Sequence, residues 1–262
     1  MAESWAARLT PEPFRDFLPY AAPSALKVIH LTQVASRALS VANHVNDETA
    51  RAREALRLQE SLRTAGLAEL IEVSPEPVSG LTVSASSEED RRSIGDRVLA
   101  LYFHLLRWDG PLFLDLRPRH FSWAPGRQIL RFYPSSLWCR PEPDFMHRLR
   151  ALYIGFYRND RAALEQGIDL YRWQSSPSKG FAERVEGLLR DHFGSLDGAP
   201  MRFLVSHFRA TFDAIFREVA SSRAKLHPDL TFLGVELVGL YLTLESLNVT
   251  LDVQRAFESA GG

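Results

Sequence analysis

One segment limits the fold more than any other. Residues 230–247 read LTFLGVELVGLYLTLESL, apolar on nearly every side of a helix. Such a helix has no solvent face and must be enclosed by other elements. Glu236 and Glu245 break the run, which argues against a membrane span and for a helix in a protein core. With 262 residues and 45% hydrophobic side chains, the chain is large enough to surround it, as one large domain or two small ones.

The other elements follow from periodicity and punctuation. Residues 35–66 read as a long helix with Leu39, Val45, Ala52, Leu56 and Leu62 on an imperfect apolar face and Gly66 as its stop. Residues 67–86 suggest two short strands, LIEV and LTVSAS, around a Pro/Gly turn. Ser87 and Asp90 form a capping-box-like start for a helix carrying Ile94, Val98, Leu101 and Leu105. Two apolar strands are expected at 112–116 and 128–133, joined through APGR. Everything beyond Pro141 reads as helical. Phe145, Leu149, Leu152 and Phe156 make one stripe, Asn159–Asp160 breaks it, and helices are expected near 161–171, 180–193, 201–222 and 228–247. Some strands followed by a helical half make an α+β chain.

Charge and composition exclude several functions. The net charge is −1 and no basic tract is present, which gives no electrostatic case for nucleic acid. Cys139 is the only cysteine, so no internal disulfide or CxxC metal site can form. The first residues, MAESWAARLT, lack the apolar core of a secretory signal, and a reducing cytoplasm is the compartment expected. None of the eight histidines falls in an HxxxH or HExxH pattern. SALK at 24–27 matches Ser-x-x-Lys, but the companion Ser-Asp-Asn and Lys-Thr-Gly elements are absent.

Two stretches carry chemistry. LFLDLRPRH at 112–120 is an apolar run that ends in Asp115, and ILRFY at 129–133 is another with Arg131 in its middle. A carboxylate at a strand end serves as a base or orients a hydroxyl. The same Asp115 also reads as a buried structural residue paired to Arg117 or Arg119, or capping a turn. Only Lys27, Lys179 and Lys225 are available for chemistry that needs a lysine.

Taken together these pieces resemble the UbiB/AarF atypical kinase-like family, which is linked to coenzyme Q biosynthesis. FMHRLRALYIGFYRNDRAALEQGIDLYRW at 145–173 is similar to the family's segment after the metal-binding Asp. LHPDLTFLGVELVGLYLTLESLNVTLD at 226–252 is similar to a late family helix. PYAAPSALKVIH at 19–30 looks like the Ala-rich loop that replaces a glycine-rich loop, ETARAREA at 48–55 like the E-x-D helix, and LTVSA at 81–85 like the hinge strand. FLDLRPRH stands for the catalytic loop H-A-D-P-H-P-G-N: Asp115 matches its Asp, Pro118 its second Pro, and His120 falls at the metal-binding Asn. The Asp-Phe-Gly triplet becomes Arg131-Phe132-Tyr133.

The resemblance implies a protein-kinase-like α+β fold, with a reduced N-terminal lobe over 1–86 and a helical C-terminal lobe over 87–262. It implies Asp115 as the catalytic-loop residue and Ala21, Ala22, Ser24, Lys27 and Glu48 as the nucleotide-binding set, with ATP and Mg²⁺ as the cofactors of an active member. The departures point elsewhere. His120 and Arg131 occupy both metal-ligand positions, and Mg²⁺ prefers oxygen ligands. The expected function is therefore a pseudokinase that binds or regulates, with a partner enzyme or an apolar isoprenoid or quinone-type ligand and at most a peripheral membrane contact. The alternatives are an ATP-dependent phosphotransferase or ATPase using Asp115, and a helical interaction protein. Arg131 is expected to pair with Asp115 where the metal would be.

Overall fold

The computed structural model describes residues 12–28, 38, 41, 47–83, 86–193 and 199–261. The long helices are α1 (Glu48–Thr64), α2 (Glu88–Leu105), α3 (Pro143–Tyr157), α4 (Arg161–Ile168), α5 (Phe181–Phe193), α6 (Val205–Ser221), α7 (Leu230–Leu247) and α8 (Val253–Ser259). The strands are short: β1 (Ile71–Val73), β2 (Leu112–Phe113), β3 (Phe121–Ala124), β4 (Ile129–Phe132), β5 (Trp138–Cys139), β6 (Met201–Arg202) and β7 (Thr250–Leu251). The fold is α+β, and buried side chains from Phe14 to Ala260 belong to one core.

The expected start of α2 is present, with Ser87 accepting from the Asp90 amide, whereas α1 starts at its own cap inside the expected 35–66 helix, where Asp47 accepts from the Ala50 amide. Gly66 ends the first helical segment at φ +74°, a conformation that costs glycine nothing. Only Ala38 and Val41 are described from 29–46, so the N-terminal part of the expected 35–66 helix, with Leu39 and Val45, lies outside the described residues. The buried face of α1 also differs from expectation. It carries Ala50, Arg51, Glu54, Ala55, Leu58 and Leu62, whereas Leu56 is 72% exposed. Burying Arg51 and Glu54 together, each with partners, rotates the helix away from its most apolar stripe.

The sheets correct two further expectations. β2 and β4 are not joined as a hairpin. β4 pairs antiparallel with β3 across the APGR turn, and parallel with β1 on its other edge. β2 instead pairs with β5. Residues 81–83 form no strand; Leu81 makes a single backbone bond, to the Pro118 carbonyl (3.0 Å). The Phe145, Leu149, Leu152 and Phe156 stripe is buried, and Asn159 adopts φ +53° to turn the chain into α4, whose N-cap is Asp160.

Helix α7 is the center of the packing. Among the described residues it is the one helix long and apolar enough to cross a membrane, and 67% of it is buried inside the protein. A Cβ on Gly239 would lie 2.8 Å from the Leu116 amide nitrogen, so α7 meets the chain after β2 at backbone contact. One turn later the Thr243 hydroxyl donates to the Leu116 carbonyl (2.6 Å).

Glu236 is the exception on this helix. It is fully buried, and neither carboxylate oxygen has a hydrogen-bond partner. Burial pushes its pKa up to about 8 from an ordinary 4.5. Between those values the folded protein binds more protons than the unfolded chain, so stability falls as pH rises across that window. Urea unfolding of Glu236→Leu should show higher stability than the parent at pH 8 and a smaller loss of stability between pH 5 and pH 8, because the buried acid is gone. Gly239→Ala should lose about 1–3 kcal/mol in the same assay, since the added methyl meets backbone rather than a movable side chain.

Candidate functional site

The end of β2 places Asp115. Its strand bonds run from β2 to β5 and continue through the Leu114 amide to the Leu137 carbonyl (2.9 Å). Leu116 is then held by Gly239 and Thr243, and residues 118–120 form one 3₁₀ turn. Asp115 is 1% exposed between these two anchors.

Its carboxylate is fully engaged. Arg117 makes a bidentate fork, Nε to Oδ1 (2.8 Å) and Nη2 to Oδ2 (2.7 Å), and its backbone amide adds a bond to Oδ1 (3.2 Å). Arg119 Nη2 donates to Oδ2 (2.6 Å), and His120 Nε2 lies 3.1 Å from the same oxygen. Burial alone would push the Asp115 pKa up. The hydrogen bonds and charges of Arg117 and His120 outweigh it and hold the carboxyl well below the usual carboxylate range. An acid held this strongly ionised, with each oxygen taken by guanidinium groups, is a poor proton acceptor for a substrate hydroxyl.

The surroundings reinforce the clamp. Arg117 Nη1 also donates to Asp16 Oδ2 (2.9 Å), and its guanidinium lies 4.5 Å from the center of the Phe17 ring. The N-terminal segment thus sits directly on Arg117. His120 Nδ1 lies 3.2 Å from the Tyr133 carbonyl, an acceptor only, so the contact as a hydrogen bond puts the hydrogen on Nδ1. The Tyr133 amide donates back to the His120 carbonyl (2.8 Å). Tyr133 also receives the Arg51 guanidinium over its ring at 4.7 Å.

Arg131 does not join this cluster. On β4 it stands opposite Glu72 of β1, and Arg131 Nε is 3.3 Å from Glu72 Oε1, with the Arg side chain half-exposed. The expected Arg131–Asp115 pair is therefore replaced by Arg131–Glu72. The cause is strand register: the parallel β1–β4 pairing puts Arg131 beside an acid of its own sheet, while the turn after Asp115 supplies nearer cations.

Among the described side chains, none of the residues assigned to nucleotide binding bonds to Asp115. Ala21 is exposed and Ala22 buried. Ser24 is bonded to α6, with its amide donating to Asp213 Oδ1 (2.9 Å) and its hydroxyl to the same oxygen (2.7 Å). Lys27 lies in the short helical turn Ala25–Val28, and its side chain lies outside the described residues. Glu48 is exposed and accepts from Arg51 Nη2 (2.6 Å). At the positions that the resemblance assigns to metal ligands stand a histidine facing Asp115 and an arginine paired to Glu72. The sequence had offered Arg117 and Arg119 as structural partners of Asp115, and both are. It gave no sign of Asp16 and Phe17, whose role depends on a long-range contact.

No protein-family model and no curated protein sequence matches this chain.

Asp115→Asn should destabilise the protein by about 3 kcal/mol, because it removes the buried partner of Arg117 and leaves only the exposed Asp16 beside that guanidinium. The folded pKa of Asp115 is depressed, so its contribution is present above the unfolded value of 3.8 and is lost as pH falls below it. Acid unfolding followed by circular dichroism should accordingly begin at higher pH in the variant than in the parent only through its lower overall stability, while the part of the acid limb due to Asp115 disappears.

Proposed function

We propose that the chain is a kinase-like module of UbiB/AarF type that has given up metal-dependent phosphoryl transfer and acts by binding. One observation carries this reading: Asp115, at the catalytic-loop position, is locked by Arg117, Arg119 and His120. A kinase leaves that carboxylate free to accept the substrate proton, and holds Mg²⁺ with the Asp of its triplet and the Asn of its loop. Here cations occupy the space in which a kinase gathers anionic ligands. The loop between β2 and β3, followed by the β3–β4 hairpin that ends in Arg131-Phe132-Tyr133, supports the kinase-like part of the reading.

The setting in quinone or isoprenoid-lipid metabolism rests on the resemblance alone, since a fold hosts many functions. The occupant of such a module is a partner enzyme or an apolar ligand of that class. An ATP-dependent enzyme would need Asp115 released from two arginines and the N-terminal segment lifted from Arg117.

Titration with ATP at millimolar concentration should give no thermal shift that depends on Mg²⁺, and incubation with MgATP should release no phosphate. A midpoint that climbs with MgATP beyond the response to ATP alone would overturn the reading, because a ligand bound to the native state must raise its stability.

A further inference from the structure

We infer that the exposed face of α1 around Arg53, Leu56 and Arg57, extended by Arg140, is a docking surface for an acidic segment of a partner protein. Arg53, Leu56 and Arg57 share the solvent face of α1 by helical spacing, and Arg140 follows β5. One carboxylate gathers the three guanidinium groups. Glu54 Oε1 accepts from Arg140 Nη2 (2.9 Å) and lies 3.6 Å from Arg53 Nε, and Glu54 Oε2 accepts from Arg57 Nη1 (2.9 Å). The Glu54 side chain is 1% exposed, whereas those of Arg53, Arg57 and Arg140 are 68%, 46% and 49% exposed. The acid is thus buried beneath the arginines, and the cations face solvent.

The charge of this group is not balanced where it stands. A single carboxylate meets three arginines, which leaves two positive charges over. The neighbouring acids are engaged elsewhere: Glu48 pairs with Arg51, Glu60 with Arg63, and Glu142 faces His227 Nε2 (3.6 Å). Asp109 enters through its backbone, its carbonyl accepting from Arg57 Nη2 (2.9 Å). Among the described residues, Arg53 and Arg140 pair with no acid other than Glu54, so Arg53 Nη1 and Nη2 and Arg140 Nε and Nη1 are left for a ligand.

Leu56 lies beside these cations and is the most exposed large apolar residue among the described residues. An exposed leucine next to arginines is matched by a surface that brings carboxylates together with an apolar contact. Guanidinium forks take carboxylates bidentately. Glu54 and the Asp109 carbonyl already hold Arg57 and Arg140 in place, so less rotamer freedom is lost on binding. Three arginines and one leucine fall short of the roughly four to eight basic residues of a lipid-binding cluster. No basic tract continues the patch toward nucleic acid. The occupant is therefore a protein segment with carboxylates around an apolar side chain. The surface uses none of the residues bonded to Asp115, and the inference does not rest on the kinase-like reading.

The test is fluorescence anisotropy of the full chain with a labelled synthetic peptide that carries glutamates on either side of one leucine, beside the same peptide with glutamines in their place. The glutamate peptide should bind and the glutamine peptide should not, and binding should weaken as potassium chloride is raised. Arg53→Ala leaves Glu54 its hydrogen bonds to Arg57 and Arg140, so it should fold normally by circular dichroism. It should weaken peptide binding about tenfold, the equivalent of losing one charge-assisted contact. Arg53→Lys should fall between the two, because it keeps the charge and loses the fork. Leu56→Ser changes an exposed position and should also fold normally, with binding weakened about tenfold by the lost apolar contact. Equal binding of the two peptides, or an unchanged affinity in either Arg53→Ala or Leu56→Ser, would overturn the inference. So would co-sedimentation with phosphatidylserine vesicles in the absence of peptide binding, which assigns the patch to a membrane surface instead.

Discussion

The contact between α7 and the backbone at Leu116 governs the rest of the molecule. A helix apolar on all sides has to be surrounded, and it reaches the strand-end loop only because position 239 lacks a Cβ. Thr243 then satisfies the Leu116 carbonyl, a group that would otherwise be buried without a donor. With Leu116 fixed on one side and β2 bound to β5 on the other, Asp115 has little freedom. Its side chain points into a turn whose next residues are Arg117, Arg119 and His120. The clamp thus follows from local sequence once the helix has pinned the backbone.

The electrostatics of that turn bear on what it can do. A buried carboxylate is costly unless donors replace its hydration. Asp115 has four donor contacts, three from the Arg117 and Arg119 guanidinium groups and one from the Arg117 amide, of which the guanidinium fork is the strongest in geometry. Such an arrangement is self-contained: each donor added to Asp115 lowers its basicity and removes a site at which a substrate or cation would attach. Glu236 shows the opposite solution within the same core. It has no donor at all, and burial keeps its proton on instead. One acid is charged and locked, and the other is neutral and unpaired.

Much of the fold was legible because it depends on local signals. Capping at Ser87 and Asp160, the αL residues Gly66 and Asn159, and the apolar spacing of α3 and α7 are written within a few residues of where they act. The strand pairings were not. Residues 121–124, FSWA, carry too short and mixed a pattern to announce a strand, so β4 was assigned to the wrong neighbour. The face of α1 was misjudged because Arg51 and Glu54 are buried with partners. Glu54 accepts from Arg57 (2.9 Å) and from Arg140 (2.9 Å), the latter 86 positions away. Periodicity treats a charged residue as a surface marker and has no access to a partner so distant. For the same reason the sequence identified Asp115 and its near neighbours but placed Arg131 wrongly: the register that sets Arg131 beside Glu72 is a property of the sheet.

The arginine bias of the chain acquires meaning only in three dimensions. With 28 arginines among 31 basic residues, no single one stands out in the sequence. Arg117 and Arg107 are similar there, each just beyond a buried apolar run. In the fold they meet opposite conditions. Arg117 closes on two acids and is neutralised where it stands. Arg107 lies over the Phe257 ring, with Arg150 bonded to the carbonyl of the residue before it. Repulsion among fixed guanidinium groups is tolerable at a surface, where water screens it, and less so as the groups become half-buried. The same residue type is thus a satisfied clamp at Arg117 and carries a buried, unsatisfied donor at Arg107.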